Sequence, residues 1–218
     1  WSSEVTNMII TGIWETLYMT LVSTLVGYVI GLPMGIILTV SDKDGIKPNA
    51  VLYKILDVIA NIVRSVPFII LLVLLIPFTR LVVGKSYGST ATIVPLVIAA
   101  APYIARMVES SLKEVDAGVI EAARSMGASN FTIITKVMLV EARTSLLVGA
   151  TITLGTILGY SAMSGAVGGG GLGAIAIRYG YTRWQTDIMI VTVILLIILF
   201  QIFQTVGMKL ADKFDHRK

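Results

Sequence analysis

The sequence predicts an all-α integral membrane protein of five transmembrane helices, with its N-terminus outside and its C-terminus in the cytoplasm. Three observations predict it. Of the 218 residues, 56% are hydrophobic and 14% charged, where a soluble domain carries about 25% charged residues, and the mean hydropathy is +0.87. A domain of this size folded in water needs a polar shell that this chain lacks. Long charge-free runs recur, and Lys and Arg are distributed unevenly between alternate connections.

Composition also excludes several classes. Disorder and a disulfide scaffold fall together, since hydrophobicity is high and there is no cysteine. A lone His216 builds no histidine metal site. The net charge of +4 and pI near 9.3 come without a basic run or a basic–aromatic stripe, so nucleic acid is not an expected partner. The basic residues are expected to mark cytoplasmic loops instead. No secretory signal is visible. The chain opens on Trp1 rather than Met, and a short preceding piece is expected.

A spanning helix needs roughly 20 apolar residues. Thr16–Val40 is uncharged for 25 residues, Ser86–Ala105 for 20 and Ile188–Met208 for 21. Thr144–Ile177 is uncharged for 34, too long for one span; its first part, about 144–165, reads as a helix, and the glycine-rich remainder as a turn or re-entrant stretch. Ser65–Thr79 is uncharged for only 15 residues and becomes a full span if its helix begins near Tyr53 and carries Asp57 and Arg64. The expected spans are about 14–40, 53–78, 88–108, 144–165 and 186–208, in a single domain covering 1–218. One side then receives 12 Lys/Arg, in 41–54, 106–143 and 209–218; the other receives four, in 1–15, 80–87 and 178–187. The richer side is cytoplasmic.

Gly27, Gly31 and Gly35 recur every four residues on one face of the first helix, with Pro33 beside them. Small residues let helices approach in lipid, so a packing groove is favoured over a hinge. Arg64 is expensive if it lies deep in the bilayer. Either it snorkels to the cytoplasmic surface, or it faces an internal aqueous path or pairs with Asp57 or Glu109.

Between the third and fourth spans lies a cytoplasmic segment, about 110–142, that is amphipathic rather than simply polar. Asp116 caps a helix through Ile120, Ala123 and Met126 that stops at Gly127. Ser129 or Asn130 caps a second helix carrying Phe131, Ile134, Val137 and Met138 at helical spacing. Periodicity alone reads this as a docking element or as a helix lying on lipid.

Several local patterns lack the context their chemistry needs. Gly84-Lys85-Ser86 ends like a phosphate loop but has Thr79 where the first glycine belongs. Gly168, Gly170 and Gly173 have dinucleotide spacing but follow an apolar helix instead of a strand. Gly159–Met163 starts like a nucleophile elbow with no placed histidine. Asn130-Phe131-Thr132 is a sequon on the cytoplasmic side.

The run Glu121-Ala122-Ala123, with Gly127 after three residues and then Val137 and Leu139, resembles the EAA loop of ABC-importer permeases. Val140 departs from it, standing where the family commonly has proline. Trp14-Glu15-Thr16-Leu17, Arg64-Ser65-Val66-Pro67-Phe68, the stretch Gly159–Gly173 and Arg178-Tyr179-Gly180-Tyr181 are similar to the methionine-importer permeases, and the likeness covers nearly the whole chain. The resemblance implies a multi-pass permease of the bacterial cytoplasmic membrane that is not itself an enzyme. It implies a second copy of the chain, two ATPase subunits that bind Mg-ATP, and an external methionine-binding protein. No cofactor is expected in this chain. Glu121, Ala122, Ala123, Arg124, Gly127, Val137 and Leu139 are the expected coupling residues. Tyr160, Ser161, Ala162, Met163 and Ser164, with Arg64, are candidates for the path or its gate, where a flexible thioether could fill and vacate a constriction. A permease for another small amino acid or short peptide is the alternative. A lipid enzyme is disfavoured because only Asp57 and Arg64 are placed within the membrane, and a passive channel would need no ATPase.

Overall fold

The computed structural model describes residues 3–214, so the end of the C-terminal tail, with His216, lies outside the described residues. Eleven α-helices follow one another among them. They are α1 (Ser3–Ser41), α2 (Ala50–Ser65), α3 (Phe68–Leu74), α4 (Ile76–Val83), α5 (Ser89–Lys113) and α6 (Ala117–Ser125). Then come α7 (Asn130–Thr132), a π-helical stretch Ile133–Met138, α8 (Leu139–Glu141) and α9 (Arg143–Ser164). A short 3₁₀ turn, Gly165–Val167, leads to α10 (Gly171–Ile175), a second π-helical stretch Ala176–Tyr181, and α11 (Thr186–Lys213). There is no strand among the described residues. Four helical stretches are long and apolar enough to cross a membrane, five if α2 and α3 together make one.

The stretch expected as one helix over about 53–78 is three. α2 and α3 meet at Val66-Pro67 with a bend of 101°. Val66 has φ −80° and ψ 125°, the extended conformation that a following proline imposes. α1 is longer than expected at both ends. Its 39 residues make it about 58 Å long at 1.5 Å per residue, and it runs on through Pro33 without ending.

α5 is the central helix, with Leu96, Ala100, Ile104, Ala105, Val108 and Leu112 buried. It packs along α1 and also touches α9, α2 and α4. The contact with α1 rests on the glycine row. A Cβ on Gly27 would lie 2.9 Å from the Ala100 Cβ, on Gly31 2.5 Å from the Ala101 carbonyl oxygen, and on Gly35 2.6 Å from the Ala105 carbonyl oxygen. The face α1 turns inward is otherwise largely hydroxyl: Thr16, Thr20, Ser23, Thr24, Thr39 and Ser41 are buried, while Leu21, Leu25, Val26, Val29 and Ile30 are exposed. Thr16 and Thr39 donate to carbonyls four residues earlier, Gly12 and Gly35. Such bonding keeps a hydroxyl satisfied inside a helix in lipid.

Candidate coupling segment and translocation path

Capping residues build the candidate coupling segment. The Asp116 carboxylate accepts from the Gly118 amide at 2.7 Å, opening α6. α6 closes with a Schellman turn: the Gly127 amide donates to Arg124 O at 2.9 Å and the Ala128 amide to Ala123 O at 3.1 Å. Gly127 has φ +81°, which L side chains rarely adopt. Of the two expected caps for the next helix, Ser129 serves, its hydroxyl accepting from the Thr132 amide at 3.2 Å. That helix is not regularly amphipathic, because Ile133–Met138 is π-helical and one extra residue per turn shifts the face its side chains take. Val140 is 45% exposed. The chain passes from α8 to α9 at Ala142, with no proline at Val140.

The expected coupling residues divide between two environments. Glu121, Ala122, Arg124 and Gly127 are exposed, and so are Met126 and Phe131 at the tip, at 81% and 75%. Ala123 is buried, and Val137 and Leu139 pack, half-buried, against a core that includes Ile133 and Met138. Arg124 turns back on the protein: its guanidinium donates to Ile46 O, in the α1–α2 loop, at 3.2 Å.

The path candidates also divide. Ser161 and Ser164 are fully buried, donating to Leu158 O at 2.8 Å and Ser161 O at 2.6 Å. Ala162 is half-buried and Met163 46% exposed. Tyr160 stacks on Phe68, the first residue of α3, with ring centroids 4.4 Å apart and planes 3° apart. One helical face therefore carries the serines inward, and the five residues do not form a single lining. Arg64 is exposed in the last turn of α2. It pairs with neither Asp57 nor Glu109, because Arg106 takes both.

That network was not legible in the sequence. Arg106 Nη1 donates to Glu109 Oε2 at 2.7 Å, while Nη2 reaches the Asp57 carboxylate and Asn61 Oδ1 at 2.9 Å. Lys113 Nζ lies 2.8 Å from Glu109 Oε1 and 2.7 Å from Asp42 Oδ2. The Lys113 hydrogen bond holds the carboxyl of Asp42, in the loop after α1, below its ordinary pKa.

A second long-range contact organises the glycine-rich stretch. Glu15 Oε2 on α1 accepts from the Gly171 amide at 2.7 Å, and Thr16 Oγ1 from the Leu172 amide at 2.9 Å. α10 has no cap of its own, so residues of a distant helix satisfy the donors at its start. Gly168 O accepts from the Gly88 amide at 2.8 Å, joining the same stretch to the start of α5. Glu15→Ala is expected to lower stability by about 1–3 kcal/mol, the cost of an unmade hydrogen bond in a shielded place. Glu15→Gln, which keeps an acceptor oxygen, is expected to lose less. Thermal unfolding in detergent checks both.

Residues 31–217 match the family described as binding-protein-dependent transport system inner membrane component. The chain is 49% identical over 217 residues to a probable D-methionine transport system permease protein, MetI, of Vibrio cholerae serotype O1, covering 100% of this chain and 96% of the relative. It is 52% identical over 158 residues to the D-methionine transport system permease protein MetI of Escherichia coli K12, covering 72% of this chain and 73% of that one. A solved structure of the MetNI methionine ABC transporter in inward-facing conformation matches with TM-score 0.97 and 49% identity, covering 99% of this chain and 100% of that one. An amino acid ABC transporter solved with histidines shares the fold, at TM-score 0.74 and 22% identity, covering 99% of this chain and 96% of that one. From the match over most of its length and from these relatives, the chain belongs to the inner membrane components of binding-protein-dependent transport systems.

Proposed function

We propose that this chain is the permease subunit of an ATP-driven methionine importer in the bacterial inner membrane. The observation that carries the reading is the capped helix–glycine–helix segment at 116–141, with Met126 and Phe131 bare at its tip, in a chain 49% identical to a methionine ABC transporter subunit along its length. An apolar tip on a polar, rigidly capped segment suits a groove on a cytosolic partner better than open water.

In this reading 1–218 is one permease domain with five spans, α2 and α3 making the second as a broken pair. The N-terminus is outside and the C-terminus cytoplasmic, supported by the 12-to-4 division of Lys and Arg. Two copies enclose the path, two ATPase subunits bind Mg-ATP, and an external binding protein delivers methionine. This chain holds no cofactor. Closure of the ATPases moves the coupling segments and opens the path outward, and hydrolysis resets it. Glu121, Ala122 and Arg124 sit at the docked surface with Met126 and Phe131, Gly127 sets the angle between the two helices, and Ala123, Val137 and Leu139 hold the segment to the bundle.

Tyr160, Ala162 and Met163 face the path; Ser161 and Ser164 hold that helix from behind. Arg64 lies four residues before Phe68, the ring on which Tyr160 stacks, and borders the same path. The chain has no cysteine, so Met163→Cys gives a clean probe, and its maleimide labelling is expected to change between nucleotide-free and ATP-trapped complexes. Labelling that never responds removes Met163 from the gate. Arg64→Ala is expected to lower uptake several-fold with assembly intact; unchanged uptake removes Arg64 from the path.

The deciding experiment is labelled-methionine uptake in cells lacking other methionine importers, with the chain, its ATPase and its binding protein expressed together. Energy-dependent uptake that unlabelled methionine competes away, and that Gly127→Val loses, supports both substrate and coupling. ATPase co-purification without methionine uptake keeps the importer and discards the substrate.

A further inference from the structure

α2 is attached to the bundle in an unusual way. Of its sixteen residues only Ala60 is buried, and Val51, Ile55, Ile59 and Ile62 are all exposed. In lipid, burying such side chains against another apolar helix yields little, and packing and polar contacts must do the holding. The polar contacts between α2 and α5 run through a charged network. Arg106 binds Asp57 and Asn61 with one nitrogen and Glu109 with the other, and Tyr53 of α2 donates to Glu109 Oε1 at 3.3 Å. Lys113 closes the chain by bridging Glu109 to Asp42. The Glu109 side chain is 6% exposed and that of Arg106 17%, so opening the network leaves a shielded charge without its partner, the costly outcome for a buried pair.

We propose that this network is a permanent tie, with Arg106 as its positioning residue, which makes α2, α5 and the α1–α2 loop move as one body through the transport cycle. Lys113 lies three residues before Asp116, the cap of the coupling segment, so displacement of that segment acts on the tie directly. At the other end α2 meets the bend at Val66-Pro67, and beyond it Phe68 stacks on Tyr160. The tie thus joins the docking surface to the residue proposed at the gate by a route that does not run along α9. Arginine suits the place because its rigid planar fork reaches Asp57 and Glu109 from two separate nitrogens in a fixed geometry, which the single nitrogen of a lysine on a flexible stem does not hold. The uptake arm of the test rests on the permease reading; the structural arm does not.

The test uses Lys54→Cys with Ser110→Cys, both exposed in the structure and each next in sequence to a partner of the Tyr53–Glu109 hydrogen bond, on the full chain with its ATPase in lipid nanodiscs. The readout is the rate of linking by a short bismaleimide. The expected rate is the same in nucleotide-free and vanadate-trapped complexes. It is expected to fall in Arg106→Gln, with Arg106→Lys between. Uptake in Arg106→Gln is expected to drop about tenfold, within the range of coupling changes that single substitutions produce, while the ATPase still co-purifies. Linking α2 to α5 in that variant is expected to restore uptake, which a general packing defect would not allow. A wild-type rate that changes on trapping, a link that abolishes wild-type uptake, or an Arg106→Gln rate equal to wild type overturns the tie. Should Arg106→Gln fail to reach the membrane, Asp57→Asn removes one arm of the network and is expected to slow linking in the same direction. If the wild-type complex carries no amino acid, the permease reading fails and the linking rates still decide the tie.

Discussion

Gly127→Val is expected to abolish energy-coupled uptake while the chain still reaches the membrane. Gly127 has φ +81°, and a left-handed backbone costs a residue with a Cβ about 1–2 kcal/mol, more for a β-branched one. Relieving that strain means giving up the amide bonds to Arg124 O and Ala123 O that end α6. The loss is small beside the packing of four long helices, so the bundle persists. It falls entirely on the angle between α6 and the helix capped by Ser129, and so on the relation between Glu121, Met126 and Phe131. Uptake and ATPase co-purification measured side by side check it. Gly127→Asn, which tolerates this backbone region better, is expected to retain part of the activity. Wild-type uptake in the valine variant would show that the turn does not set coupling.

The second large effect is expected from one methyl group. Gly31→Ala places a Cβ 2.5 Å from the Ala101 carbonyl oxygen and 2.8 Å from the Ile104 Cβ, and neither is the free end of a flexible side chain. α1 and α5 must move apart, so the loss is expected at or above the usual 1–3 kcal/mol of overpacking. Gly149→Ala is the matched control, since its Cβ meets only the Met107 side chain at 3.4 Å. An alanine for glycine in a helix with room is worth about 0.5–1 kcal/mol of stability. The same substitution is therefore expected to change sign between the two positions, read as thermal unfolding in detergent. Equal effects would mean that the α1–α5 contact is not held at the glycine row.

Much of this was legible in the sequence because membranes make it so. Charged residues are rare within a span, so the charge-free runs locate the apolar middles of α5, α9 and α11, although α5 runs on eight residues past its run, through Arg106, Glu109 and Lys113. The helix–glycine–helix geometry of 116–141 was legible because Asp116, Ser129 and Gly127 act on amides within a few positions of themselves. The bend at Val66-Pro67 was signalled by the proline, but unbroken hydrophobicity from Ser65 to Thr79 favoured one continuous span. The π-helical stretches have no counterpart in composition or spacing. The Arg106 network and the Glu15 cap on α10 join residues 49 and 156 positions apart. Their partners are chosen by the fold, and local pattern cannot see them. Of the alternatives open for Arg64, pairing with Asp57 or Glu109 is excluded for that reason, since Arg106 reaches both carboxylates from α5.

The face that α1 turns inward is made mostly of glycine and hydroxyl residues, with Met19 and Leu38 among them, and its outer face largely of leucine, valine and isoleucine, which inverts the rule by which substitutions are normally judged. In a soluble protein the large aliphatic residues are the ones that resist replacement. Here Leu25, Val29 and Ile30 are exposed and are expected to tolerate residues of similar hydropathy, whereas Thr20, Ser23 and Gly31 are buried in places of fixed size. A mutational scan of this helix should therefore find its least replaceable positions among its smallest side chains.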